Sequence, residues 1–327
     1  MNLLRKIRLF ALAVTIASNS IICTAQHDLA KYLQKIDLPK RAFVIGNQLY
    51  NHHRPVPNAA NDARLVSEKL VEIGFPPDQL IIDADQTTIY RRLDDFVDRE
   101  LNSPDNVPAV VVLYYSGHGF AKGGGNFIVP IDAPLDTERL VETSISLDYI
   151  VERIGQGDVG ILIVLTDSCR HNFFESIVDR DIQPFSRPKK RLEQAVFYGY
   201  SSEYGESSLS NYNQFDTSSP FATSLTTFLD QPGLDLVSFF KGISKEVYDA
   251  TNYYQIPEYE DKTQGVFYIA PTDDYISDQG EKFSLSLLRG KDCVRRYARD
   301  YPAGPYYYSA LRYLEETNDI SSVCRKL

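Results

Sequence analysis

The sequence predicts an α/β fold built on a largely parallel sheet with helices on both faces. Two short apolar runs, AVVVLYY at 109–115 and ILIVL at 161–165, are typical of strands that are buried on both faces. Segments with helical periodicity separate such runs along the chain, which is the order expected for parallel strands joined by crossover helices. Hydrophobic residues make up 43% of the 327 residues, so the chain can form a sizeable core.

Residues 1–25 are expected to be a secretory signal peptide. The segment begins with three basic residues and continues with an apolar stretch over 9–22. It ends with Cys23-Thr24-Ala25, which provides small residues at the usual cleavage positions. A retained membrane anchor and lipid attachment at Cys23 are the alternatives. Cleavage would change the net charge from −10 to −13, because the segment holds three cations and no acidic residue. We therefore expect an exported protein, periplasmic or secreted.

The rest of the chain alternates between predicted strands and helices. Apolar residues recur at helical spacing over 58–73, and Gly74 then provides a stop. Strands are predicted at 41–46, 80–82, 107–115, 161–165, 195–200 and 265–270, with a short extended piece at 126–130. Helices are predicted at 58–73, 87–101, 145–154, 221–229 and 236–251.

The segment that follows the main pattern, 273–327, is predicted to be a small helical appendage. Short helices are expected at 283–288, 293–301 and 306–316 around the turn YPAGPYYY. Besides Cys169, the only thiols after residue 25 are Cys293 and Cys324. In an exported protein this even pair predicts a disulfide, which would leave Cys169 as the reactive thiol.

Cys169 and His118 are the candidate catalytic pair. Each follows a predicted buried strand, and open α/β sheets bind ligands at the carboxyl ends of such strands. The glycines on either side of His118 let the backbone bend sharply and leave the imidazole accessible. A neighbouring imidazole activates a thiol that is mostly protonated at neutral pH. A buried structural Cys and a turn His are the alternatives, and the 51-residue separation favours the catalytic interpretation.

Several motifs together resemble the caspase, metacaspase and paracaspase clan of cysteine peptidases. They are RAFVIGNQLY at 41–50, PNAANDARLVSEKLVEIGF at 57–75, YYSGHG at 114–119, TDSCR at 166–170, SSPFATSLTTFL at 218–229 and KEVYDATNYYQIP at 245–257. The resemblance implies a caspase-like three-layer sandwich with a mostly parallel six-stranded sheet, in a secreted bacterial member of the clan. It places a catalytic domain at 38–272, with a large-subunit part to about 171, a linker at 172–194 and a small-subunit part at 195–272.

The resemblance also implies roles for individual residues. His118 would be the general base, Cys169 the nucleophile, and the backbone N–H groups of Gly119 and Cys169 the oxyanion hole. Where caspases have Gln-Ala-Cys-Arg-Gly, this chain has Asp-Ser-Cys-Arg-His, which argues against strict specificity for aspartate. Asp62 lies in the first helix, where paracaspases and metacaspases place an acidic pocket residue, and Asp167 lies two residues before the nucleophile. With Glu206 as a looser third candidate, they would form an acidic S1 pocket for Arg or Lys. An exposed helix carboxylate is the alternative for Asp62. Basic residues in the linker, at 187 and 189–191, would be cleavage points for activation.

Composition and the weaker motifs exclude other classes. A net charge of −10 is poorly suited to binding nucleic acid or anionic membranes, and no stretch after residue 25 approaches 18 consecutive apolar residues. No cofactor or metal is predicted from the residues, since His52-His53 lacks further ligands at suitable spacing. Calcium dependence, which the resemblance to metacaspases leaves open, has no acidic cluster in the sequence to support it. The expected partner is a peptide or protein substrate. A peptidyl transferase with the same dyad and a non-catalytic binding scaffold remain the alternative functions.

Overall fold

The computed structural model describes residues 32–33, 35, 37–76, 80–102, 107–168, 182–183, 195–203, 208–209, 217–263 and 265–317. Contacts divide the chain into two units. One is Pro39–Ala270, and the other is drawn from Met1–Leu38 and Pro271–Leu327. Among the described residues, no helix is long and apolar enough to cross a membrane.

The first unit contains the predicted alternation of strands and helices. Its strands are β1 Lys40–Gly46, β2 Leu80–Ile82, β3 Ala109–Ser116, β4 Gly119–Lys122, β5 Gly125–Ile128, β6 Ile145–Ser146, β7 Val159–Asp167, β8 Ile182–Gln183, β9 Ala195–Tyr200 and β10 Glu258–Asp261. Its helices are α1 Ala59–Glu72, α2 Gln86–Glu100, α3 Thr137–Thr143, α4 Leu147–Ile154, α5 Pro220–Leu229 and α6 Leu236–Ala250.

The main sheet has six strands in the order β10-β9-β7-β3-β1-β2. Every neighbouring pair is parallel except β9 and β10, which run antiparallel. The prediction of a mostly parallel six-stranded sheet is therefore confirmed. A second sheet, in the order β6-β5-β4-β8, carries the hairpin of β4 and β5, whose two turn residues are both glycines with positive φ.

Helices cover both faces of the main sheet, as the continuous apolar runs predicted. All eight residues of β3 are buried. On one face, a core cluster joins side chains of alternate strand residues to α2 and α4; it includes Phe43, Val111, Leu113, Leu162, Ile89, Leu93 and Ile150. On the opposite face, α6 lies so close that a Cβ on Gly199 would be 2.3 Å from Phe240.

Close packing of α1 on β1 fixes the position of the first turn of α1, which contributes a residue to the candidate site described below. A Cβ on Gly46 would come within 2.6 Å of both the Ala59 carbonyl oxygen and the Ala63 Cβ. Glycine therefore allows the first turn of α1 to lie directly against the carboxyl end of β1. Asp62 lies in that turn and is 1% exposed.

The structure corrects two of the predicted elements. The strand predicted at 265–270 is wrong, because that segment forms only an isolated bridge at Tyr268, and the sixth strand is β10 at Glu258–Asp261. The sequence EYED of β10 is mostly acidic and shows no apolar alternation, so hydrophobic patterning could not identify it. The helix predicted at 145–154 begins instead at Leu147, because Ser146 caps it by accepting from the Tyr149 N–H.

The second unit is helical, with α7 Asp273–Arg289, α8 Lys291–Asp300 and α9 Tyr307–Glu316. Its core is rich in aromatic side chains, in which the Phe283 ring contacts both Tyr297 and Tyr306. Gly290, at φ 92°, separates α7 from α8. The helices α8 and α9 lie within two residues of the helices predicted at 293–301 and 306–316, whereas α7 begins ten residues earlier than the helix predicted at 283–288.

Candidate active site

The candidate site lies at the carboxyl ends of β3 and β7, which are neighbours in the main sheet. Ser116, the last residue of β3, is paired in register with Asp167, the last residue of β7. The Gly117 N–H then donates to the Asp167 carbonyl oxygen at 3.3 Å. The two segments that carry the predicted dyad therefore leave the sheet side by side.

His118 is 6% exposed, so the expectation that its flanking glycines leave the imidazole accessible is wrong. Both its backbone and its ring are held by hydrogen bonds. Its backbone N–H donates to the Tyr50 hydroxyl at 2.8 Å, and its carbonyl accepts from the Tyr115 hydroxyl at 2.5 Å. Its Nε2 lies 2.7 Å from the Arg54 carbonyl oxygen. Because a carbonyl can only accept, Nε2 carries the proton, and Nδ1 is the basic nitrogen of the neutral ring.

The surroundings of His118 keep its imidazole neutral. Burial lowers its pKa to about 3, the Arg54 carbonyl opposes this shift, and His53 adds to it. A neutral imidazole with a fixed tautomer is the form that can accept a proton from a thiol.

Gly117 allows the turn that brings His118 to this position. It has φ +153°, and a Cβ there would be 2.6 Å from the Tyr115 hydroxyl and 2.8 Å from the Tyr50 hydroxyl. These are the two hydroxyls that hold the His118 backbone. A residue larger than glycine must therefore displace the groups that position the imidazole.

We expect Gly117→Ala to destabilise the protein by about 1–3 kcal/mol, because it combines overpacking with backbone strain. Thermal unfolding measures the loss. Gly125→Ala is the matched control, since its nearest new contact would be an ordinary 3.5 Å. Equal melting temperatures for the two variants would contradict this account of Gly117.

Two buried carboxyl groups lie next to the dyad segments. Asp62 accepts from the Ser219 backbone N–H at 2.8 Å and from the Ser116 hydroxyl at 3.4 Å. Asp167, which is 5% exposed, accepts from the hydroxyls of Ser219 at 2.5 Å and Ser208 at 2.9 Å. Ser219 thus joins both carboxyl groups, one through its N–H and the other through its hydroxyl.

The environment of this pair disfavours two negative charges. Burial, followed by repulsion from Asp167, raises the pKa of Asp62 to about 8. Burial also raises the pKa of Asp167, against the hydrogen bonds from Ser219 and Ser208. Among the described residues, no Lys or Arg pairs with either carboxyl group; the donors are hydroxyls and a backbone N–H. The pair is therefore suited to a cation that comes from outside these residues.

The predicted oxyanion donor Gly119 is the first residue of β4. The Val129 N–H donates to the His118 carbonyl, so these two residues form a hydrogen-bonded pair at the start of the β4–β5 ladder. The next pair in an antiparallel ladder, here Gly119 and Ile128, is not hydrogen-bonded, and the Gly119 N–H therefore points away from β5. This is the edge of β4 that pairs with β8 at Ala121 and Lys122, and the oxyanion role of Gly119 stays a prediction.

Several of the predicted residues lie outside the part of the chain that the structure describes. These are Cys169, Glu206, Cys324 and most of the linker at 172–194. Their roles remain predictions, as does the Cys293–Cys324 disulfide, although Cys293 itself is buried in the second unit. Within the described ranges, no three His, Cys, Asp or Glu residues are grouped so that they could hold a metal ion.

Sequence reasoning missed three partners of the predicted residues. The Arg54 carbonyl orients His118, although the sequence showed no third member for the dyad. Tyr50 holds the His118 backbone. Ser219 precedes Pro220, a pattern that predicts the start of a helix, and its hydroxyl does cap α5. Its contact with the carboxyl pair has no signal in the sequence because it depends on tertiary packing.

The chain is similar to paracaspases in sequence. It is 25% identical over 180 residues to a Paracaspase from Dictyostelium discoideum, covering 54% of this chain and 41% of that protein. It is 27% identical over 137 residues to the Mucosa-associated lymphoid tissue lymphoma translocation protein 1 from Homo sapiens, covering 42% of this chain and 16% of that protein. The match therefore spans less than half the length of each of these relatives.

Comparison of structures and of family models agrees with the architecture. The structure of Caspase-1 from Spodoptera frugiperda matches with a TM-score of 0.51 and 12% identity, over 74% of this chain and 93% of that one. At this identity the likeness concerns the fold alone. The model of the Caspase domain family matches residues 39–268, well over half of the sequence. The chain therefore belongs to the Caspase domain family.

Proposed function

We propose that this protein is a cysteine endopeptidase in which Cys169 is the nucleophile and His118 the general base. The observation that carries the proposal is that the segments leading to the two residues leave the sheet side by side, with the Gly117 N–H bonded to the Asp167 carbonyl oxygen. The His118 imidazole is neutral, and its Nε2 is bound to the Arg54 carbonyl. Cys169 follows Asp167 by two residues, which span at most about 7 Å.

The reaction would proceed by acyl transfer in two steps. The Cys169 thiol gives its proton to Nδ1 of His118, and its sulfur forms a bond to the carbonyl carbon of the scissile peptide. As that peptide bond breaks, the imidazolium returns the proton to the leaving amine. Water then attacks the thioester, again with His118 as the base, which releases the carboxylic acid and restores the thiol. The N–H groups of Gly119 and Cys169 would stabilise the oxyanion.

The buried carboxyl pair supports specificity for Arg or Lys on the N-terminal side of the scissile bond. Asp62 and Asp167 converge on Ser219 without a cation among the described residues. A guanidinium or ammonium group that enters beside them would gain charge-assisted hydrogen bonds in a site of low dielectric constant. Glu206, in the stretch GYSSEYGESS at 199–208, remains a looser third candidate. Export, which rests on the signal-peptide pattern of residues 1–25, is part of the same proposal.

Affinity labelling tests the proposed activity. An acyloxymethyl ketone with Arg at the recognition position is expected to add one inhibitor mass to the full chain and none to Cys169→Ala. The corresponding reagent with Asp at the recognition position has the same reactive group. It is expected to label the full chain much more slowly than the Arg reagent does, or not at all. Labelling of Cys169→Ala at the parent rate, or of neither protein, would contradict the assignment of the nucleophile.

The raised pKa of Asp62 predicts how substrate binding depends on pH. At pH 6 the carboxyl pair binds more protons than at pH 9, so fewer negative charges face an incoming Arg. We expect kcat/KM for an Arg peptide to rise through about pH 8, by up to about tenfold per pH unit below that pKa. Initial rates between pH 6 and 9 measure it, with Asp62→Asn as the control that removes this titration. The same profile in both proteins would contradict the assignment.

A further inference from the structure

Gln255 is a buried amide in the segment between α6 and β10. Its backbone N–H donates to the Thr251 hydroxyl at 3.0 Å, and that hydroxyl donates to the Val247 carbonyl of α6 at 2.8 Å. Asn252 and Tyr253 have φ values of 49° and 69°, a left-handed conformation that is costly for residues other than glycine. The backbone therefore makes a strained turn after α6, and Gln255 follows this turn into the interior.

The side chain of Gln255 connects Ser201 to residues 208 and 209. Its Nε2 donates to the Ser201 carbonyl at 2.6 Å, and its Oε1 accepts from the Leu209 N–H at 3.0 Å. A backbone carbonyl can only accept and a backbone N–H can only donate, so these two contacts fix which end of the amide carries the oxygen. The second N–H of Nε2 is then directed to the Ser208 hydroxyl, 3.3 Å away.

This contact sets the direction of a hydrogen bond to the carboxyl pair. Because the Ser208 hydroxyl accepts from Gln255, its own proton is directed to Oδ1 of Asp167, 2.9 Å from the hydroxyl oxygen. Burial raises the pKa of Asp167, and the hydrogen bond from Ser208 opposes that rise because it favours the ionised carboxyl group. Gln255 thus reaches Asp167 through a single hydroxyl.

We propose that Gln255 is a positioning residue for the binding of a substrate cation, and that it acts by holding Ser208 as a hydrogen-bond donor to Asp167. This inference rests on the proposed function, in which Asp62 and Asp167 bind the side chain of Arg or Lys. Without the amide, the Ser208 hydroxyl is no longer fixed as a donor. A cation would then meet a carboxyl group whose ionised form is less stabilised, so its affinity falls while the dyad is unchanged.

Binding of benzamidine, whose amidinium group resembles the end of an arginine side chain, tests the proposal without requiring turnover. Isothermal titration calorimetry measures it on the full chain carrying Cys169→Ala. We expect Gln255→Met, which keeps an unbranched side chain, and Ser208→Ala each to weaken binding about tenfold, because each removes the same hydrogen bond to a charged group. The double variant should bind no more weakly than Ser208→Ala alone, since Gln255 acts through that hydroxyl.

Gln279→Met is the matched control. Gln279 is also a buried amide, but it belongs to the helical second unit and not to the unit that holds the carboxyl pair. It is expected to keep the parent affinity for benzamidine. Melting temperatures establish whether each variant is folded, and Ser208→Ala, which removes only one hydroxyl, decides the matter if Gln255→Met does not fold.

Kinetics on an Arg peptide separate positioning from a merely structural role. With Cys169 intact, Gln255→Met and Ser208→Ala should each raise KM about tenfold and keep kcat within about twofold of the parent. A smaller folded fraction would instead lower the apparent kcat and leave KM unchanged.

Parent affinity for benzamidine in folded Ser208→Ala or Gln255→Met would overturn the proposal, and so would losses that multiply in the double variant. Absence of turnover together with the expected affinities would contradict the proposed peptidase but not the role of Gln255. A parent chain that does not bind benzamidine would overturn the carboxyl pair as a cation site, and the role of Gln255 with it.

Discussion

Replacing Cys169 by Ala is expected to lower kcat for peptide hydrolysis by at least about 10⁴-fold, and His118→Ala is expected to do nearly the same. The two residues would act as a unit: without the thiol no covalent intermediate forms, and without the imidazole the thiol is only a few per cent ionised at neutral pH. The double variant should therefore be about as active as either single variant. Steady-state rates on one Arg peptide measure all three.

His52→Ala is the matched control for His118. His52 is exposed, whereas His118 is buried and held by the Arg54 carbonyl and the Tyr50 hydroxyl. We expect the control to keep the parent rate. If Cys169→Ala retained the parent kcat, the dyad would be wrong, and additive losses in the double variant would mean that the two residues act independently.

Asp62→Asn is expected to have opposite effects on activity and stability. It keeps the shape of the side chain but removes a charge that a substrate cation would bind, so kcat/KM for an Arg peptide should fall roughly 10- to 100-fold. The folded protein binds a proton at Asp62 up to about pH 8, and the unfolded chain releases it near pH 4. The contribution of Asp62 to stability therefore decreases as the pH rises through this range.

The variant cannot ionise, so its melting temperature at pH 8 should exceed that of the parent. Glu68→Gln, on the exposed face of the same helix, is the control and should change neither quantity. A variant that loses stability at pH 8 would contradict the account of a buried, repelled carboxyl group. A variant that keeps its full kcat/KM for Arg would contradict the proposed S1 role.

The sequence was sufficient to predict the central strands of the main sheet because both faces of those strands are buried. β3 and β7 appear as uninterrupted apolar runs, and their ends identify the site. β10 was missed because an edge strand needs no apolar face, and its acidic sequence resembles a loop. Hydrophobic patterning therefore locates the centre of a sheet better than its margin.

The same distinction applies to the candidate site. His118, Asp62 and Asp167 could be identified because motifs tie them to strand ends or to the first helix. The Arg54 carbonyl could not be, since a backbone acceptor has no residue type that marks it. Ser219 caps a helix 157 positions after Asp62, and only packing of α5 against α1 brings its N–H to that carboxyl group.

The most direct test of the central claim is kcat/KM of the full chain on two fluorogenic peptides that differ only in Arg or Asp before the reporter. We expect cleavage of the Arg peptide, dependent on Cys169, with little or no cleavage of the Asp peptide. The carboxyl pair at Asp62 and Asp167 requires this order, because a substrate carboxylate would add a negative charge to a buried site that already disfavours the ionisation of both its carboxyl groups. Faster cleavage of the Asp peptide would contradict the account.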